Sequence, residues 1–192
     1  MKKVLALSLS LIMMLALAAC GSSNSTGSTT EGGEPFTGTL PELIAAIYEK
    51  QPVEIEVGEP MEIDLSDAGV VSYYTGLADA SAVKEAYFSE SMIGSQAYSL
   101  VAVRVNDAAD AATVAQAMFD GIDQVKWICA TADSLAVGAY EDMVVLAMVD
   151  STIFGASMHT DLRDAFASVV GADTLSASLD RVDPDAMPKS LS

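Results

Sequence analysis

The sequence predicts an α+β domain, a largely antiparallel sheet packed by helices, standing behind an export signal and a flexible linker. Strand-like apolar runs lie at 83–93, 97–105, 125–130, 133–140 and 142–150, with turn residues between neighbours. Amphipathic stripes with capping residues lie at 39–50, 106–122 and 160–171. Strand pairs closed by short turns need no crossover helix, so the pattern favours an antiparallel sheet with helices laid against it.

Residues 1–19 open with Lys2 and Lys3 and continue as an apolar run diluted only by Ser8 and Ser10. A basic start, an apolar stretch short of the ~20 residues of a spanning helix, and a small-residue end make a signal peptide. Leu17-Ala18-Ala19-Cys20 resembles the lipobox of bacterial lipoproteins. That resemblance implies a diacylglycerol on the Cys20 sulfur, palmitate among its chains, and Cys20 as the mature N-terminus. The alternative is a plain secretory signal with an incidental cysteine. Two acyl chains make a stable anchor where one does not, each buried CH2 contributing about 0.8 kcal/mol. The expected location is therefore the extracytoplasmic face of a cell membrane, in a Gram-positive envelope.

Residues 21–34 are only Gly, Ser, Thr, Asn and Glu, so 20–36 reads as the lipidated cysteine and a flexible linker. Its root-mean-square reach is on the order of 20 to 25 Å. The body, 37–192, is long enough for one domain with a substantial core, and it shows no internal repeat.

Removing 1–19 takes two of the nine basic residues and none of the 27 acids, leaving a formal net charge near −20. That charge opposes the phosphate backbone and excludes nucleic acid as a partner. It leaves cationic ligands and metal ions open, and it also keeps a surface protein soluble and monomeric. With Cys20 lipidated, Cys129 has no intramolecular partner, so the domain relies on its core and not on disulfides.

Along the body, Thr39-Leu40-Pro41-Glu42 has the form of a capping box, and Leu40, Leu43, Ile44 and Ile47 follow at helical spacing. Residues 53–57 and 61–65 alternate apolar and acidic side chains as half-exposed strands or extended segments. A short helix follows Asp67 and closes at Gly76. Gly94-Ser95 is the turn between strands 83–93 and 97–105, the second apolar on both faces and hence central. Asn106 and Asp107 cap a helix whose inward stripe includes Ala111, Ala115, Met118 and Ile122, with Gly121 near its end. The last helix, 160–171, turns Leu162, Phe166, Val169 and Val170 inward.

The order of the strand "AYSLVAVRVND", a helix ending "DGIDQVKWIC", an A-D-x-L-x-V run and "VVLAMVD" resembles the bacterial lipoprotein family called domain of unknown function four-three-five-eight. The resemblance covers about 40–170, is strongest over 97–150, and includes Lys126-Trp127-Ile128-Cys129. It implies this architecture and a lipid-anchored location, and it transfers no catalytic residue to any position.

Chemistry-bearing residues are sparse. Cys129 lacks a neighbouring base, and in a strand over 125–130 it shares a face with Trp127 while Lys126 points away. Trp127 and Cys129 are thus expected to point together into the core. His159 has Asp161 and Asp164 nearby in sequence but no credible nucleophile, and reads as a lone histidine in a loop before a helix. Zinc spacing is missing. Asp180, Asp183 and Asp185 could offer oxygens to calcium, although they match no known loop and read more simply as a solvated terminal tail. No phosphate loop or nucleophile elbow occurs. The expectation is a non-enzymatic binding or envelope-accessory module without a cofactor, held to the membrane through Cys20 and meeting an unidentified protein or small ligand. A hydrolytic or thiol enzyme with a site scattered through the sequence is the alternative.

Overall fold

The computed structural model describes residues 36–183 and 185–186; the expected signal peptide, Cys20 and nearly all of the linker lie outside them. The described chain is the predicted α+β domain: a six-stranded, wholly antiparallel sheet with helices on both faces. Its strands are β1 (Met61–Glu62), β2 (Val83–Glu90), β3 (Tyr98–Val105), β4 (Ser134–Tyr140), β5 (Met143–Val149) and β6 (Ala177–Val182), in the order β1-β2-β3-β5-β4-β6.

Helices α1 (Leu40–Lys50) and α5 (Met158–Val170) cover one face, while α2 (Ala68–Thr75) and α3 (Ala111–Gly121) cover the other. Period-two alternation divides the central strands between them. Leu100, Ala102, Val145 and Ala147 join the α1/α5 core, whereas Val101, Val103, Val144 and Leu146 join the α2/α3 core. Every residue of β5 is buried, as a strand covered on both sides requires.

The caps form as their residues dictate. The Thr39 hydroxyl accepts from the Glu42 amide at 3.4 Å and the Glu42 carboxylate accepts from the Thr39 amide at 2.8 Å. Asp67 accepts the Gly69 and Val70 amides at the start of α2, and Gly76 closes that helix at φ 76°. The helix expected over 106–122 divides into a 3₁₀ turn, Ala108–Asp110, capped by Asp107, and α3 itself. Phe154 ends one further short helix, α4 (Ser151–Phe154).

Of the two readings open for 53–57 and 61–65, half-exposed strand or extended segment, the second describes most of them: only β1 and an isolated bridge from Val57 to Ser91 join the ladder, and Asp64 turns the chain by accepting the Ser66 amide. Two expectations are corrected. The strand expected at 125–130 is a loop: Asp123 accepts the Val125 amide in a turn, and both edges of β4 are taken, by β5 and β6. The terminal tail expected around Asp180 begins instead as the edge strand β6, whose Ala177 and Leu179 pack on the α2/α3 core while Ser178, Asp180 and Val182 face out.

Candidate functional site

Register places the ends of the sheet. Glu90 pairs with Ser99, and Tyr98 and Ser134 both pair with Val149, so these residues mark one end, where the 91–97 and 122–133 loops and the start of α5 gather. The opposite end carries Arg104, which bonds Glu85 at 2.9 Å, Asp142 at 2.9 Å and the carbonyl of Gly38 at 2.9 Å. The described chain therefore enters α1 at the Arg104 end.

At the loop end, Lys126 lies inside an aromatic and acidic enclosure. Its ammonium meets the Glu90 carboxylate at 2.6 Å and stands 4.5, 5.0 and 5.0 Å from the ring centres of Tyr73, Tyr74 and Trp127. It also donates to the Tyr73 carbonyl at 3.4 Å. Behind it Tyr74 stacks on Phe88 with centres 3.9 Å apart. The Lys126 side chain is 2% exposed. Burial draws its ammonium below the ordinary lysine value while Glu90 opposes the shift. Burial and the Glu90 charge push Tyr73 and Tyr74 above the usual phenol value. In the segments that follow Glu90 and Lys126 and in the enclosure itself, Ile128 is 85% exposed, Met92 65%, and Ile93 and Tyr73 are also open to solvent.

Cys129 is exposed, which overturns its expected place in the core, and Trp127 packs only partly buried against the α2/α3 core. The loop conformation removes the strand alternation on which their shared inward face depended. Lys126, which the strand reading turned away from Cys129, has its side chain buried, 2% exposed.

A second cluster joins β4 to the start of α4. Asp133 accepts the Ser151 amide at 2.7 Å, the Ser151 hydroxyl at 2.5 Å and the Ser134 hydroxyl at 3.1 Å. Burial works to raise its carboxyl, but these hydrogen bonds outweigh it and hold Asp133 below the ordinary aspartate value. His159 is buried in the first turn of α5 and not in a loop, and its Nδ1 has no partner among the described residues. Desolvation depresses its pKa against the pull of Asp180, Asp133 and Asp161. Neither sequence neighbour bonds it: Asp161 accepts the Ser157 hydroxyl and Asp164 accepts Arg163. Asp180 pairs with Arg163 at 3.0 Å, and Asp183 accepts the Asp185 amide. Among the described residues no group of three or more His, Cys, Asp or Glu is arranged to hold a metal ion.

A cleft of about 340 Å³ lies between α1 and the 57–60 segment, lined by Ile44, Ala45, Tyr48, Val57 and Pro60. Its lining residues Tyr48 and Gly58 belong to a hydroxyl chain: Tyr98 donates to Tyr48 at 3.3 Å, Tyr48 to Ser89 at 2.8 Å, and Ser89 to the Gly58 carbonyl at 2.8 Å. The chain satisfies three hydroxyls that would otherwise be costly to bury.

No family model, curated protein or solved structure matches the chain.

Proposed function

We propose that the chain is an extracytoplasmic lipoprotein, anchored through Cys20, whose domain is a non-enzymatic binding module that meets a protein or small ligand at its loop end. The lipobox and the resemblance to domain of unknown function four-three-five-eight support the anchor and the location. One observation carries the binding role: Ile128, Met92, Ile93 and Tyr73 are all exposed, and all belong to segments at the end remote from the chain's entry beside Arg104. Apolar side chains left open in one neighbourhood are a mark of contact surfaces.

An enzymatic reading is favoured by a separate observation, the close Asp133–Ser151 contact with buried His159 under the influence of the same carboxylate. There the Ser151 hydroxyl donates to the Asp133 carboxylate, whose pKa is lowered, and not to His159, so binding is the better-supported role.

The test attaches a photo-crosslinker to the exposed Cys129 thiol of the full chain in its membrane. A discrete crosslinked partner, lost in Met92→Asp, supports a binding module; an unchanged crosslink in Met92→Asp removes the loop-end surface from the reading. Fatty-acid labelling of Cys20→Ser tests the anchor, and incorporation into that variant would defeat it.

A further inference from the structure

The loop 123–133 is closed at its neck. The Ala132 amide donates to the Gln124 carbonyl at 2.9 Å, and the Gln124 side-chain amide donates to the Ala132 carbonyl at 2.7 Å. Arg181 fixes the same Gln124 side chain at 2.7 Å. Beyond the neck, the hydrogen bonds that tie 125–131 to the body, among the described residues, are those of the Lys126 ammonium to Glu90 and to the Tyr73 carbonyl. Trp127 and Ala130 add apolar packing, Ile128 and Cys129 stand in solvent, and the Thr131 hydroxyl is buried without a partner among the described residues. The loop is thus closed at its neck, and Lys126 is its polar latch to the body.

What the latch occupies is itself informative. Three ring faces around a cation, with a carboxylate at contact distance, are the general chemistry by which proteins recognise alkylammonium groups. We infer that Tyr73, Tyr74, Trp127 and Glu90 form a site for an alkylammonium group, which this chain fills with its own Lys126 until a ligand displaces it. This rests on the binding-module reading and names the chemistry its surface selects. Lys126 is a tethered competitor at high effective concentration, so a free ammonium binds weakly while Lys126 is in place. A partner that also covers Ile128 and Met92 displaces the Lys126 side chain, leaves Trp127 in place and puts its own cation against Glu90. The acidic balance of the chain, 27 acids against nine basic residues, favours the approach of such a partner.

Trp127 is the only tryptophan of the chain and lies in the site, so its fluorescence reports binding directly. The full chain and its Lys126→Ala variant are titrated with n-butylammonium, a lysine-like primary amine, with tetramethylammonium, a quaternary headgroup analogue, and with neutral 1-butanol, all at equal ionic strength. The expected result is at least tenfold tighter ammonium binding by Lys126→Ala than by the parent, preference for ammonium over 1-butanol, and loss of that preference in Lys126→Ala/Glu90→Gln. The stronger of the two cations identifies a lysine-type or a quaternary source. Equal affinity for butylammonium and 1-butanol in a folded Lys126→Ala protein overturns the site. If Lys126→Ala does not fold, the parent chain decides: butylammonium at high concentration must shift Trp127 emission beyond matched sodium chloride and beyond 1-butanol, and no such shift overturns the site. Ammonium binding without any Cys129 crosslink leaves the site and removes the protein-partner reading; a crosslink without ammonium preference does the reverse.

Discussion

Gly76 and Gly121 meet backbone to backbone: a Cβ on Gly76 would stand 2.3 Å from the Ile122 nitrogen, and one on Gly121 would stand 2.2 Å from the Gly76 carbonyl oxygen. This contact sets the end of α2, which carries Tyr73 and Tyr74, against the start of the loop that carries Lys126. Gly121→Ala is expected to cost about 1–3 kcal/mol, because backbone atoms must shift to admit the methyl group. Gly76→Ala is expected to cost more, since Gly76 also holds φ 76°. Urea unfolding of both variants checks the order, and a Gly121→Ala protein as stable as the parent would show that the close approach relaxes freely.

Arg104 ties Glu85, Asp142 and the Gly38 carbonyl with a side chain 14% exposed. Arg104→Met keeps the stem's packing and removes the donors, leaving two carboxylates side by side. The expected loss is about 1–3 kcal/mol, with partial recovery when Asp142 is changed to Asn in the same protein. Double-mutant unfolding measures that coupling.

Acid should weaken the fold in two stages. His159 has its folded pKa depressed below the ordinary 6.5, so the unfolded chain binds its proton first. Its contribution is fully present above that ordinary value and is lost as pH falls below it. Asp133, also depressed, keeps its contribution down to the ordinary 3.8 and loses it as pH falls further. Stability measured from pH 7 to pH 5 should therefore fall, and His159→Gln should flatten that slope while leaving the lower stage in place. An unchanged slope in His159→Gln would assign the upper stage to another group.

Because Cys129 stands in solvent, it should react with a thiol reagent in the native protein without prior unfolding. Cys129→Ser should change stability by less than about 0.5 kcal/mol, the usual range for an exposed position. Trp127→Ala should cost less than the ~3–5 kcal/mol of a fully buried large aromatic. Slow labelling that tracks global unfolding would contradict the exposed loop.

Much of the sheet was legible because its central strands carry unambiguous signals. The apolar runs around Val101 and Val145 can be satisfied only by cover on both faces, and the capping residues Thr39 and Asp67 mark helix starts by local chemistry alone. Residues 125–130 misled because apolar content says nothing about whether a strand edge is free to receive them. The β6 strand was hidden by Asp180 and Arg181, adjacent charges that edge strands tolerate more readily than central ones. Its alternation of Ala177, Leu179 and Arg181 with Ser178, Asp180 and Val182 was the available signal. The enclosure around Lys126 joins three distant segments, and no spacing within any one of them discloses that Tyr73, Glu90 and Lys126 meet.

The strand order carries a kinetic consequence. Tyr98 pairs with Val149, and β3 reaches its inner neighbour β5 only after α3 and β4 have been laid down between them. The middle of the sheet therefore closes across a long stretch of chain, whose loop entropy must be overcome before any of its ladder bonds form. Refolding should run on a millisecond-to-second scale and not in microseconds. Once closed, the amides of β3 and β5, sealed by neighbouring strands and two helical layers, should exchange with solvent only when the whole domain opens, making them the slowest clock in the molecule.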